Sequence, residues 1–137
     1  MMAATTCDAP HAALLDQISA ALRQNADSLG CKLVSRINAA DHAPQVMLTC
    51  LRSRPWHSAS FTGQGHQVML DTAQTGVSAA ALGALTSQLA ITVANLEMTT
   101  SAQTIVETSI CEIVTRIDAS SGIVHGHAVI DLLALDE

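Results

Sequence analysis

Aromatic side chains are almost missing: Trp56 and Phe61 are the whole complement, and there is no Tyr. Platforms on which bases or sugars stack need several such rings, so their scarcity argues against nucleic-acid recognition. The core must then be built from Leu, Ile, Val, Ala and Met. Charge is scarce too, at 13% of residues against 49% hydrophobic ones, which is far from a disordered profile. For one domain spanning all 137 residues that balance is greasy, and it predicts a homo-oligomer that covers an apolar sheet or helix face.

Paired cysteine motifs are absent. Cys7, Cys31, Cys50 and Cys111 stand far apart with no C-x-x-C, so neither a zinc knuckle nor a redox motif is readable, and a reduced, cytoplasmic chain is expected. The N-terminus "MMAATTCDAPHAALL" lacks the basic and apolar parts of a signal peptide, and residues 1–8 are expected to form a loose tail. Between Asp71 and Glu97 lie 25 uncharged residues. Thr, Ser, Gln and Asn recur among them and the flanks are acidic, which argues against a membrane span.

The net charge of −6 is unevenly spread. Residues 32–70 carry Lys32, Arg36, Arg52 and Arg54 against Asp41, whereas residues 71–137 carry Arg116 alone against eight carboxylates. A basic stretch joined to an acidic half suits a small anionic ligand or head-to-tail self-association; the plainer reading is a solvated face.

Periodicity predicts an α+β fold: a mixed, largely antiparallel sheet with helices packed on one face, in the order α-β-β-β-α-β-α-β. Leu14, Leu15, Ile18, Ala21, Leu22, Ala26 and Leu29 repeat at helical spacing, with Asp8 as cap, Pro10 in the first turn and Gly30 past the end. Cys31 to Ile37 reads as a short strand. "QVMLTCLRSR" and "HSASFTG" read as a hairpin turning at Arg54-Pro55, with Cys50 facing Ala59 and Leu48 facing Phe61. The second strand continues through "GQG" to "HQVMLD", with Gly63 and Gly65 marking a bulge or bend. Val77 to Leu89 suits a helix, and "AITVANLEM" is strand-like or extends it. Ile105, Val106, Ile110, Ile113, Val114 and Ile117 make one helical stripe, with Thr104 and Glu107 as a capping box and Glu112 four before Arg116. "IVHGHAVIDLLAL" is the last strand. An echo at offset 61 links Cys50, Gly65-His66 and Val68 to Cys111, Gly126-His127 and Val129, but the matches are near chance and a helix at Cys111 speaks against a repeat.

Chemistry has two candidate seats. Arg52, Arg54 and Trp56 alternate along one strand face beside His57, with His66 close by; two guanidiniums can grip a carboxylate or phosphate, and Arg stacks on Trp. The plainer reading is that Trp56 closes the open end of the core while the arginines pair with the acidic half. His57, His66, His125 and His127 lie in strand segments, and His125 and His127 leave the same face, as ligands of a divalent transition metal do, with Asp71 or Asp131 as a carboxylate. Histidines hydrogen-bonded at a sheet edge explain them as simply. No G-x-S-x-G, P-loop or G-x-G-x-x-G is present, and Ser58 and Ser60 give no dyad with His57.

The stretch R-P-W-H-S-A-S-F-T-G-Q-G-H, with G-H-A-V-I-D later, resembles small bacterial proteins bearing an R-P-W-x-S-A-x-F-x-G-x-x-H pattern. The resemblance implies a bacterial, soluble α+β domain and no particular activity; Ala73 to Thr104 has no counterpart in it. Together these features point to a binding or scaffolding module that self-associates. The alternative is a small, metal-dependent enzyme using the strand-borne histidines.

Overall fold

The computed structural model describes residues 9–38, 43–96 and 103–136. The elements run α1 (Ala9–Ser28), β1 (Lys32–Leu33), β2 (Gln45–His57), β3 (Thr62–Thr75), α2 (Ala79–Ala94), β4 (Gln103–Ile117) and β5 (Ile123–Asp136). The strands form one sheet in the order β1-β2-β3-β5-β4, in which only β1–β2 is parallel. The fold is therefore α+β with a mixed, largely antiparallel sheet.

Both helices bury their apolar stripes on the same side. Leu14, Ile18, Leu22 and Ala26 of α1 and Leu89, Ala90 and Val93 of α2 join Val46, Val68, Leu70, Ala128, Ile130 and Leu132 in one core cluster. The alternation along β3 and β5 follows from this packing. Val68, Leu70 and Thr72, like Val124 through Ala134 at every second position, face the helices and are buried. Their neighbours stand on a face that no helix covers.

Local chemistry sets the ends of the elements. Gly30 lies just past α1 with a φ of 71°, the left-handed conformation that lets the Cys31 amide return to the Ala26 carbonyl at 2.7 Å. Ser78 caps α2, its Oγ accepting from the Ala81 amide at 3.1 Å. The buried Gln45 side chain closes the β1–β2 connection, accepting from the Asn38 amide at 2.8 Å and donating to its carbonyl at 2.7 Å.

Gly126 is where α2 sits closest to the sheet. A Cβ there would run into the hydroxyls of Thr72 and Thr86. Thr86 Oγ1 donates to the Leu82 carbonyl at 2.8 Å, so Thr72 supplies the hydrogen for the 2.7 Å bond between the two threonines.

Three expectations are corrected. The segment from Ile105 to Ile117 is strand β4, not a helix. Bulges between Ile105 and Glu107 and between Ile110 and Glu112 shift the parity of the strand. Ile105, Ile110, Ile113 and Ile117 consequently fall on the helix-facing side at spacings of five, three and four, which imitates a helical stripe. Of the two readings of "AITVANLEM", helix extension holds as far as Ala94, where α2 ends, and Glu97 and Met98 lie outside the described residues. Finally, Arg54-Pro55 is not a turn: β2 runs through it to His57, and the turn is Ser58 to Phe61, closed by the Ser58 amide on the Phe61 carbonyl at 2.8 Å. Proline is tolerated there because β1 covers β2 only at Gln45 and Val46, leaving Pro55 on an open edge. Leu48 thus pairs with Leu70 and Cys50 with Val68, while Phe61 is exposed in the turn. The bulge in this hairpin falls on β2, between Cys50 and Arg52, and not at Gly63 or Gly65. The expected N-terminal tail, residues 1–8, lies outside the described residues.

Candidate functional site

The helix-free face carries the functional groups, and the strand registers order them in rows. One row runs Arg54, Gly65, Leu133, Glu107; the next runs position 52, Gln67, Asp131, Ser109. Further along, Met47, Asp71, His127 and Val114 form a row beside Gln45, Ala73, His125 and Arg116. Residues opposite one another in antiparallel strands share a face, so each row is a set of neighbours.

The first two rows border a groove of about 430 Å³ that includes Arg54, Trp56, Gln67, Glu107 and Asp131. Gly65 supplies no side chain, and the groove opens above it. Asp131 is occupied on both oxygens: Gln67 Nε2 donates to Oδ1 at 2.9 Å, and Cys111 Sγ donates to Oδ2 at 3.0 Å. The hydrogen bond to Asp131, then desolvation and the carboxylate's charge, push the Cys111 thiol above its ordinary pKa. Exposed as it is, Cys111 is disfavoured as a thiolate, the form that attacks.

The other rows border a cavity of about 340 Å³ among Asp71, Glu112, Arg116, His125 and His127. Asp71 Oδ1 bonds His127 Nδ1 at 2.9 Å, and His127 Nε2 stands 3.6 Å from Glu112 Oε2. The first distance is a hydrogen bond; the second is an ion-pair separation only. An imidazole oriented in this way through one nitrogen is suited to proton transfer through the other. The lining, however, contains no Ser or Cys, and the Thr72 hydroxyl bonds Thr86 on the helix side.

The predicted histidine quartet is split. His125 and His127 do share one face, and β3 does pair with β5 to bring Asp71 to His127, as the spacing implied. His66 stands on the opposite, helix-facing side with Val68 and Leu70; it is 1% exposed and its Nδ1 meets Ser53 Oγ at 2.7 Å. His57 is exposed at the far end of β2, in register with Thr62. Among the described residues, no group of three or more His, Cys, Asp or Glu converges as metal ligands would.

Of the predicted ligand surface, positions 52, 54 and 56 share the helix-free face, as their registers with Gln67, Gly65 and Gly63 show. The Arg52 side chain lies outside the described residues. Trp56 is 37% exposed and on the face away from the core cluster, so it closes no core there. Arg54 forms no ion pair with the acidic half among the described residues. Glu107, Glu112 and Arg116 escaped the sequence reading because the false helix removed them from the sheet. The β-branched run of "TIVETSICEIVTRI" was the signal for a strand.

No protein-family model matches the chain, and no curated protein matches it. A solved structure does. The chain shares its fold with a protein in "Virion of native gene transfer agent (GTA) particle". The TM-score is 0.59 at 9% identity, covering 85% of this chain and 93% of that one. At that identity the likeness speaks for the fold and not for shared residues. No helix among the described residues is long and apolar enough to cross a membrane.

Proposed function

We propose that this chain is a structural subunit that self-associates, a scaffolding module in an assembly built from repeated copies. The observation that carries the reading is the edge strand β4, where Val106, Ile113, Val114 and Ile117 are 53%, 38%, 46% and 56% exposed. A long edge strand with aliphatic side chains on both faces is a liability unless another chain covers it. The fold shared with a protein of a multi-subunit particle supports the same reading. A cytoplasmic, bacterial setting accords with it and with the free Cys31 and Cys111.

Binding of a small anionic ligand draws less support, because Glu107 and Asp131 face Arg54 around the groove. The enzyme alternative rests on Asp71–His127 alone, without a nucleophile beside it.

Hydrogen exchange at rising protein concentration tests the proposal. Peptides from β4 are expected to gain protection on concentration while those from α1 stay unchanged. Concentration-independent exchange throughout β4 would overturn it.

A further inference from the structure

Self-association requires a mode, and the two long strands at the margins of the sheet supply one. Among the described residues, β2 is uncovered from Met47 to His57, because β1 pairs only with Gln45 and Val46. Among the described residues, no strand lies on the outer side of β4. Successive pairings from β2 through β3 and β5 to β4 are all antiparallel, so β2 and β4 run in opposite directions. Two copies placed side by side in the same orientation would therefore bring β4 of one against β2 of the next as an antiparallel pair.

Chemistry along the two edges matches row by row. Following the registers across the sheet, Arg54 stands level with Glu107, Met47 with Val114, Leu48 with Ile113, and Pro55 with Ile105. With no slip along the strands, the neighbour's Arg54 would thus lie directly across from Glu107 on the helix-free face, and aliphatic residues would meet aliphatic residues, the ladder lacking one donor at Pro55. Neither Arg54 nor Glu107 forms an ion pair among the described residues. The β2 bulge between Cys50 and Arg52 and the β4 bulge between Ile110 and Glu112 lie on either side of one row, that through Val68 and Ile130, while the β4 bulge between Ile105 and Glu107 has no counterpart on β2.

On the self-association reading above, we infer that copies join head to tail, β4 of one onto β2 of the next, with Glu107 and Arg54 facing across the seam. The occupant of each edge is a second copy of this chain. Such a contact is heterologous: it uses different surfaces on the two partners and generates a ring or a filament, where a self-complementary contact would stop at a dimer. β1 limits the seam, since it already occupies the outer side of Gln45 and Val46. The neighbour's Thr115 to Ile117 consequently leaves the ladder there.

Charge reversal tests the pairing by light scattering on the full chain, with circular dichroism confirming the fold. Arg54→Glu and Glu107→Arg each place like charges across the seam and are expected to raise the concentration for half-assembly about tenfold. Mixing the two variants in equal amounts restores opposite charges at every seam and recovers assembly. Arg23→Glu, on the exposed side of α1, leaves assembly unchanged. If Glu107→Arg weakens assembly while Arg54→Glu does not, or if mixing rescues nothing, β4 pairs otherwise and the inference fails with self-association intact. A wild-type chain that stays monomeric overturns both.

Discussion

Cys111 and Asp131 show how a single contact decides reactivity. The thiol sits exposed on a β4 bulge, where a cysteine would ordinarily be modified with ease, yet it donates to a carboxylate that disfavours its ionisation. Replacing Asp131 by Asn removes the charge and the acceptor that hold the proton. Alkylation of Cys111 at mildly alkaline pH, followed peptide by peptide in mass spectrometry, should therefore speed up several-fold in Asp131→Asn. An unchanged rate would mean that access and not ionisation governs the thiol. Cys31 offers the contrast: burial pushes its pKa from 9.0 up to about 11, against a smaller lowering by a backbone hydrogen bond at Lys32. Because the folded state holds that proton more tightly than the unfolded chain, its contribution to stability is complete below pH 9.0 and is lost as pH rises to about 11. His127 and Asp71 were legible as partners because strand alternation puts them on one face. His66 lines the groove with Arg54 and Trp56 but stands on the helix-facing side, and a histidine in a strand gives no sign of which face it takes until the register is known.

At the level of elements, strength of periodicity decided what could be read. α1 announced itself through Leu14, Ile18, Leu22 and Ala26, with Gly30 as a stop, and the alternation of β5 did the same. β4 hid because two bulges break the period of two, and β2 hid because Pro55 looks like a turn until one sees that it occupies an edge. Both failures arise where a strand is marginal to the sheet, and those margins are the surfaces on which the functional reading rests. The contact between α2 and β5 depends on Gly126, a dependence that no local pattern reveals. Gly126→Ala forces a methyl group between Thr72 and Thr86 and should destabilise the fold by about 1–3 kcal/mol in denaturant unfolding, the range for overpacking a filled core. A loss well under that range would show that α2 can lift away from the sheet without consequence.

Seen whole, the molecule consists of two helix-hairpin units, α1 with β2 and β3 and α2 with β4 and β5, whose inner strands β3 and β5 adjoin antiparallel. The offset-61 echo does not describe this repetition. An odd offset exchanges the faces, and it equates the buried His66 with His127 on the helix-free side. The expected objection to a repeat, a helix at Cys111, has nevertheless gone. Such an arrangement puts both helices on one side and leaves the other side and both long edges without a covering element among the described residues. The low charge and high apolar content of the sequence raised the expectation of a partner from composition alone, without giving its place. The mass of the purified 137-residue chain in solution, measured by light scattering across a dilution series, tests this most directly. The account predicts an assembly of several 14.2 kDa subunits that dissociates on dilution. A constant mass of one subunit at every concentration would contradict it.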